Sequence, residues 1–203
     1  HGVSVADALA GLERLFAEDI EPARVAAIIV EPVQGEGGFY IAPPEFLRAL
    51  RALCDQHGIL LIADEIQTGF GRTGKMFAME HSGVEADLMT VAKSLAGGFP
   101  LAGVIGKAAI MDAPAPGGLG GTYAASPIGC AAGLAVLEAM DKEQLPARAN
   151  RIGDLITGRL RSLAGRFNCI GDVRGLGAMV AMELVRDGKA DQPNAELTRD
   201  LVQ

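Results

Sequence analysis

The sequence predicts an α/β fold: a mostly parallel sheet with flanking helices, followed by the start of a smaller α+β unit. Three observations point there. Residues 25–30 (VAAIIV) and 59–63 (ILLIA) are unbroken apolar runs of strand length, the pattern of strands covered on both faces. A helical stripe lies between them, and the order strand, helix, strand calls for a parallel crossover. The 27 glycines gather between apolar runs, where tight strand-to-helix turns use them.

The elements follow in order. After the strand at 25–30, Pro43 and Pro44 open a helix that runs to about Gln56. Phe46, Leu47, Leu50 and Leu53 form its apolar stripe, and His57-Gly58 stops it. The run 59–63 is the second strand and ends at Asp64. Residues 88–92 and 101–105 read as the third and fourth strands. The stretch 113–122 (APAPGGLGGT) is a loop by composition. Pro127 opens a helix to about Met140, residues 141–146 interrupt the pattern, and a second helix covers 147–164. Two strands, 167–173 and 178–185, flank Arg174-Gly175-Leu176-Gly177. A polar helical pattern fills 194–203. The interruption is the expected boundary between a large domain, residues 1–143, and the start of a small one, residues 144–203.

Composition excludes some classes. The formal net charge is -7, and with two Tyr, seven Phe and no Trp there are few platforms for bases, so no nucleic-acid partner is expected. Cys54, Cys130 and Cys169 are odd in number and lack a C-x-x-C, which argues for reduced thiols and a cytoplasmic setting. His1, His57 and His81 show no metal-ligand spacing. No apolar run approaches the ~20 residues of a membrane-spanning helix. The chain begins without Met and stops inside a helical pattern, so a piece of a longer protein is expected.

One motif competes. Gly69-Phe70-Gly71-Arg72-Thr73-Gly74-Lys75 fits G-x-x-x-x-G-K, which would indicate a nucleotide hydrolase. Position 76 is Met, where a P-loop needs a hydroxyl for Mg²⁺. Asp64 to Thr68 separate the loop from its strand, and the acidic strand precedes the loop instead of following it. The simpler reading is a Gly-rich connector.

In an open parallel sheet, ligands sit beyond the carboxyl ends of the strands. Asp64 ends the second strand and Lys93 follows the third, so both belong to one sheet edge, with Gln67 and the Gly97-Gly98 turn beside them. Either residue alone is an ordinary solvated strand end; together they mark a candidate site.

These residues carry a resemblance. Ile62-Ala63-Asp64-Glu65-Ile66-Gln67-Thr68-Gly69, then Arg72-Thr73-Gly74, then Lys93 after a short apolar strand, is similar to the class III aminotransferases, fold-type I enzymes dependent on pyridoxal 5'-phosphate. Residues 31–40 (EPVQGEGGFY) and 116–123 (PGGLGGTY) most resemble the members that act on 4-aminobutyrate.

The resemblance implies a role for each position. Lys93 would carry the cofactor as a Schiff base and shuttle the substrate proton, with a pKa lowered by burial and a neighbouring cation. Asp64 would pair with the pyridinium nitrogen, Ile66 pack on the ring, and Gln67 bond its phenolic oxygen. Thr122 would bind the cofactor phosphate of a neighbouring subunit, implying a homodimer or dimer of dimers with shared sites. Glu36 would set specificity by pairing with an arginine downstream of this sequence. Glu65 reads as structural, and Arg174 receives no chemical role. The implied reaction takes the amino group of 4-aminobutyrate to 2-oxoglutarate; other ω-amino donors (ornithine, acetylornithine, β-alanine, a diamine) are the alternative. The 203 residues alone are expected to be inactive, because other family parts lie upstream and downstream.

Overall fold

The computed structural model describes residues 3–202, so His1 and Gln203, the last residue of the expected 194–203 pattern, lie outside it. The first element is one that the apolar runs did not predict. Helix α1, Val5–Glu18, is closed by a capping box: the Ser4 hydroxyl accepts the Asp7 N–H at 3.1 Å while Asp7 accepts the Ser4 N–H at 3.2 Å. Its Leu12 and Phe16 lean on the main core.

Strand β1, Ala27–Val30, leads to two short strands, β2 at Val33–Gln34 and β3 at Tyr40–Ile41. These pair antiparallel around a turn, residues 35–39. Helix α2, Pro44–His57, starts on a proline and ends at Gly58, which takes φ 67°. It buries Leu47, Leu50 and Cys54 against Leu61 and Ala63 of strand β4, Leu60–Asp64. Each fully covered leucine contributes about 2 kcal/mol there. Burial also pushes the Cys54 thiol pKa up, as for an inert core cysteine.

Strand β5, Leu88–Val91, and strand β6, Gly103–Gly106, complete the main sheet in the order β1-β4-β5-β6. β1, β4 and β5 are parallel, and β6 runs antiparallel to β5. Residues 92–102 joining β5 to β6 are too few for a parallel crossover, which takes about a dozen residues or more. β1 is not covered on both faces as its composition suggests: Ile28 and Val30 pack on the core, while Ile29, on the opposite face, is 61% exposed.

Helix α3, Ala108–Met111, precedes the loop 113–126. Helices α4, Pro127–Lys142, and α5, Leu145–Ala164, meet at Gln144, which has φ 52°. The hairpin of β7, Ile170–Leu176, and β8, Met179–Leu184, follows, so Arg174 lies within a strand and not in the turn. Helix α6, Ala195–Val202, ends the described chain.

The Gly-rich stretch 69–75 is a docking surface between these parts. Ala178 donates its N–H to Arg72 O at 2.9 Å, and Asn150 Nδ2 bonds Gly74 O at 3.3 Å. A Cβ on Gly177 would fall 2.3 Å from the Thr73 carbonyl carbon, so only glycine allows the approach. Lys75 is followed by a short 3-10 turn at Ala78–His81 and not by an α-helix. The helix N-terminus that a phosphate-binding loop requires is missing there.

Candidate functional site

The site begins where β4 ends. Register pairs Asp64 with Thr90 of β5, and the Asp64 Oδ1 accepts both the Thr90 hydroxyl at 3.2 Å and the Ile66 N–H at 3.0 Å. Those two bonds fix the carboxylate's orientation. Oδ2 accepts no hydrogen bond among the described residues.

Glu65, the next residue, points the other way and is fully buried. Its carboxylate accepts the Thr68 hydroxyl, the Ala78 N–H at 3.0 Å and the Met79 N–H at 2.8 Å. A buried charge is tolerated only when so satisfied. Glu65 therefore pins the reversal after β4, and that reversal places Ile66 and Gln67 at the sheet edge.

Lys93 opens the 3-10 turn Lys93–Ala96 directly beyond β5, at the same edge as Asp64. Its backbone is left-handed, φ 43°, a conformation that costs a non-glycine residue about 1–3 kcal/mol and concentrates at functional positions. The turn ends on Gly97 and Gly98, at φ 59° and 113°. The expected burial of Lys93 is not found: the side chain stands exposed at the edge, and Nζ makes no hydrogen bond or ion pair among the described residues.

Gln67 and Glu36 are brought together, with Gln67 Nε2 donating to Glu36 Oε1 at 2.8 Å. The turn carrying Glu36 lies close under Gln67: a Cβ on Gly35 would sit 2.4 Å from the Gln67 amide carbon. Ile66 is half-buried beside Asp64. Thr122 stands apart, exposed in the loop before α4 and without a hydrogen bond to the other candidates.

Thr90 was not among the predicted residues. Only the β4–β5 register reveals it, because a threonine inside an apolar strand looks like ordinary strand composition. The surroundings of Arg174, described below, were equally invisible.

The Aminotransferase class-III family model matches residues 4–202. The chain belongs to the class-III aminotransferases. It is 60% identical to a 5-aminovalerate aminotransferase of Pseudomonas putida and 57% identical to a 4-aminobutyrate aminotransferase of Escherichia coli, in each case over its whole length and 47% of the relative. The chain thus spans about half the length of the curated relatives it matches. Among solved structures, a transaminase of the marine bacterium Virgibacillus aligns with a TM-score of 0.89 at 34% identity, covering 98% of this chain and 46% of that one. An amine transaminase from an uncultivated Pseudomonas species, described in its PLP-bound form, aligns at 0.87 and 39%, covering 96% and 45%. The fold is that of the fold-type I transaminases.

Class-III aminotransferases depend on pyridoxal 5'-phosphate, and the residues here fit it. The group carries a ring cation and an aldehyde. Asp64 offers a half-buried, pre-oriented carboxylate whose second oxygen has no protein donor among the described residues, while Lys93 offers an unpaired primary amine at the adjoining strand end. A carboxylate beside a ring nitrogen keeps it protonated.

Proposed function

We propose that the protein to which this chain belongs transfers the amino group of 4-aminobutyrate to 2-oxoglutarate, giving succinate semialdehyde and glutamate. The observation that carries the reading is the shared edge of Asp64 and Lys93, with the Glu36–Gln67 pair beside it. When bound, pyridoxal phosphate supplies an electron sink for the bond broken at the substrate carbon.

The chain's own residues then have separate tasks. Asp64 holds a proton at the ring nitrogen, and its aim comes from Ile66 N–H and Thr90 Oγ1. Lys93 would hold the cofactor through Nζ; displaced by the substrate amine, that free amine would accept the proton from the substrate carbon. Gln67 bonds the phenolic oxygen, and Ile66 covers a ring face. Glu36 sets which carboxylate pattern is accepted in each half-reaction.

Thr122 serves the phosphate of a partner protomer in a homodimer or dimer of dimers. In support, Thr122 lies between Leu119 and Tyr123, 74% and 89% exposed apolar side chains that a second chain would cover. We further propose a large-domain portion, residues 1–143, and a small-domain start, residues 144–203, supported by the left-handed break at Gln144. Three free cysteines suit a cytoplasmic setting, and among the described residues no helix is long and apolar enough to cross a membrane.

A second donor, 5-aminovalerate, is favoured by the 60% identity to an enzyme of that name. The two differ by one methylene, a difference that a pocket converts into roughly 10–200-fold discrimination. Steady-state kcat/KM of the full-length holoenzyme on 4-aminobutyrate, 5-aminovalerate, β-alanine and ornithine separates them. Preference for any donor but 4-aminobutyrate refutes the narrow claim. The cofactor assignment predicts a visible band at roughly 410–430 nm that disappears in Lys93→Ala, as for an amine-linked cofactor.

A further inference from the structure

Arg174 sits in β7 with its side chain only 16% exposed, and it is bound along its whole length. The guanidinium carbon lies 3.9 Å from the Tyr40 ring centroid. Nε donates to Gly38 O at 2.8 Å, and Nη1 reaches both Asp172 Oδ2 and Glu183 Oε2 at 2.7 Å. The Tyr40 hydroxyl donates to the same Glu183 oxygen at 3.0 Å. The fork geometry and the stacking are specific to arginine; a lysine supplies only the charge.

What Arg174 grips is the turn that carries Glu36. Gly38 and Phe39, at φ 107° and 57°, close that turn in left-handed conformations. A Cβ on Gly38 would meet Arg174 Nη2 at 3.2 Å, so the guanidinium lies directly on the turn's backbone. At the other end, Gly35 donates its N–H to Glu31 Oε2 at 2.8 Å and lies under the Gln67 side chain. Glu36 is held between these two anchors, with its carboxylate on Gln67 at 2.8 Å.

We propose that Arg174 is a positioning residue for substrate selection: from the C-terminal hairpin it clamps the 35–39 turn and so holds Glu36 at the site edge. The inference rests on reading Glu36 as the specificity residue. The substrates concerned are ω-amino acids without an α-carboxylate, as against 2-oxo dicarboxylates that have one. Freeing Arg174's end of the turn lets the Glu36 carboxylate leave Gln67. The half-reaction that needs Glu36 in place then suffers more than the other.

The test compares the full-length holoenzyme with Arg174→Gln, Arg174→Lys, Glu36→Gln and the double variant Arg174→Gln/Glu36→Gln. Arg174→Gln is expected to raise KM for 4-aminobutyrate or 5-aminovalerate roughly tenfold while kcat and the KM for 2-oxoglutarate move less than about threefold. Arg174→Lys falls between, because it keeps an ion pair with Glu183 and loses the grip on Gly38 O. In the Glu36→Gln background the Arg174→Gln effect vanishes, since residues acting through one another are non-additive. Equal losses for both substrates, or additive losses in the double variant, overturn the proposal. So does unchanged kinetics in Arg174→Gln when Glu36→Gln alone shifts the donor preference. If Glu36→Gln shifts nothing, the reading of Glu36 itself has failed. Should Arg174→Gln not fold, Arg174→Lys carries the same comparison on its own, and a wild-type KM pattern there overturns the inference.

Discussion

Asp64 shows how much of a residue's task is set by its neighbours. The carboxylate follows a strand whose pleat buries Leu61 and Ala63, and two donors then decide where it aims. Asp64→Asn keeps the shape and both bonds but removes the charge that would hold the ring proton. It should lower kcat/KM by roughly 100-fold or more while the visible band survives, since misplaced proton chemistry costs that much. Thr90→Val removes one donor and leaves the charge. The expected loss is about fivefold, the equivalent of one modest hydrogen bond. Stopped-flow half-reactions with donor alone read both. If Thr90→Val equals Asp64→Asn, orientation and not charge is the dominant contribution of Asp64. The positions of Asp64 and Lys93 were legible because each ends an apolar run. Thr90 was not, because register depends on pairing across the sheet and leaves no mark within either strand.

At the scale of elements, the seam between the β4–β5 connection and the C-terminal hairpin depends on glycines. Gly177, at φ 56°, would place a Cβ 2.3 Å from Thr73, and a Cβ on Gly153 of α5 would fall 1.8 Å from Gly177 O. Gly177→Ala combines a left-handed backbone with a backbone clash and should cost about 2–4 kcal/mol in urea unfolding. Gly158 is the control: exposed in the same helix, with nothing within 4 Å of its Cβ. Gly158→Ala should stabilise by about 0.5–1 kcal/mol. A neutral Gly177→Ala would mean that the seam gives way without loss. The same seam explains a sequence feature that first suggests phosphate binding: Gly71 and Gly74 leave room for Pro146 and Asn150 of α5, and Gly69 for the Glu65 carbonyl. Helix α1 was legible but not read: Val5, Leu9, Leu12 and Phe16 recur at helical spacing behind the Ser4–Asp7 capping box, yet they form no unbroken apolar run. The antiparallel direction of β6 was legible but not read: the link between the runs 88–92 and 101–105 is already too short for a parallel crossover, and only strand composition is silent on direction.

Across the whole molecule one carboxylate ties four elements together at the sheet end opposite the site. Asp87, just before β5, accepts Arg51 of α2 at 2.7 Å, the Leu61 N–H of β4 at 2.8 Å and Lys107, beyond β6, at 2.7 Å. Burial alone would raise its pKa, but Lys107, the Leu61 amide and Arg51 outweigh that and hold it at about 2, below the ordinary 3.8. Because the folded value is depressed, the stabilisation is present above the unfolded pKa and is lost as pH falls through about 2. The difference amounts to about 2 kcal/mol. Asp87→Ala removes one of the two carboxylates on the largely buried Arg51, leaving the exposed Asp55 at 2.8 Å, and strips the Leu61 N–H of its side-chain acceptor, so it should cost about 2–3 kcal/mol at neutral pH. The variant should also lose the part of the acid-unfolding slope between roughly pH 4 and pH 2 that Asp87 contributes. Denaturant midpoints measured across that window check both effects. A parallel shift of the variant at every pH would show that Asp87 stabilises through packing and not through its charge. Lys93 sits beyond the far end of β5, so a weakened Asp87 anchor should lower stability well before it alters the visible band.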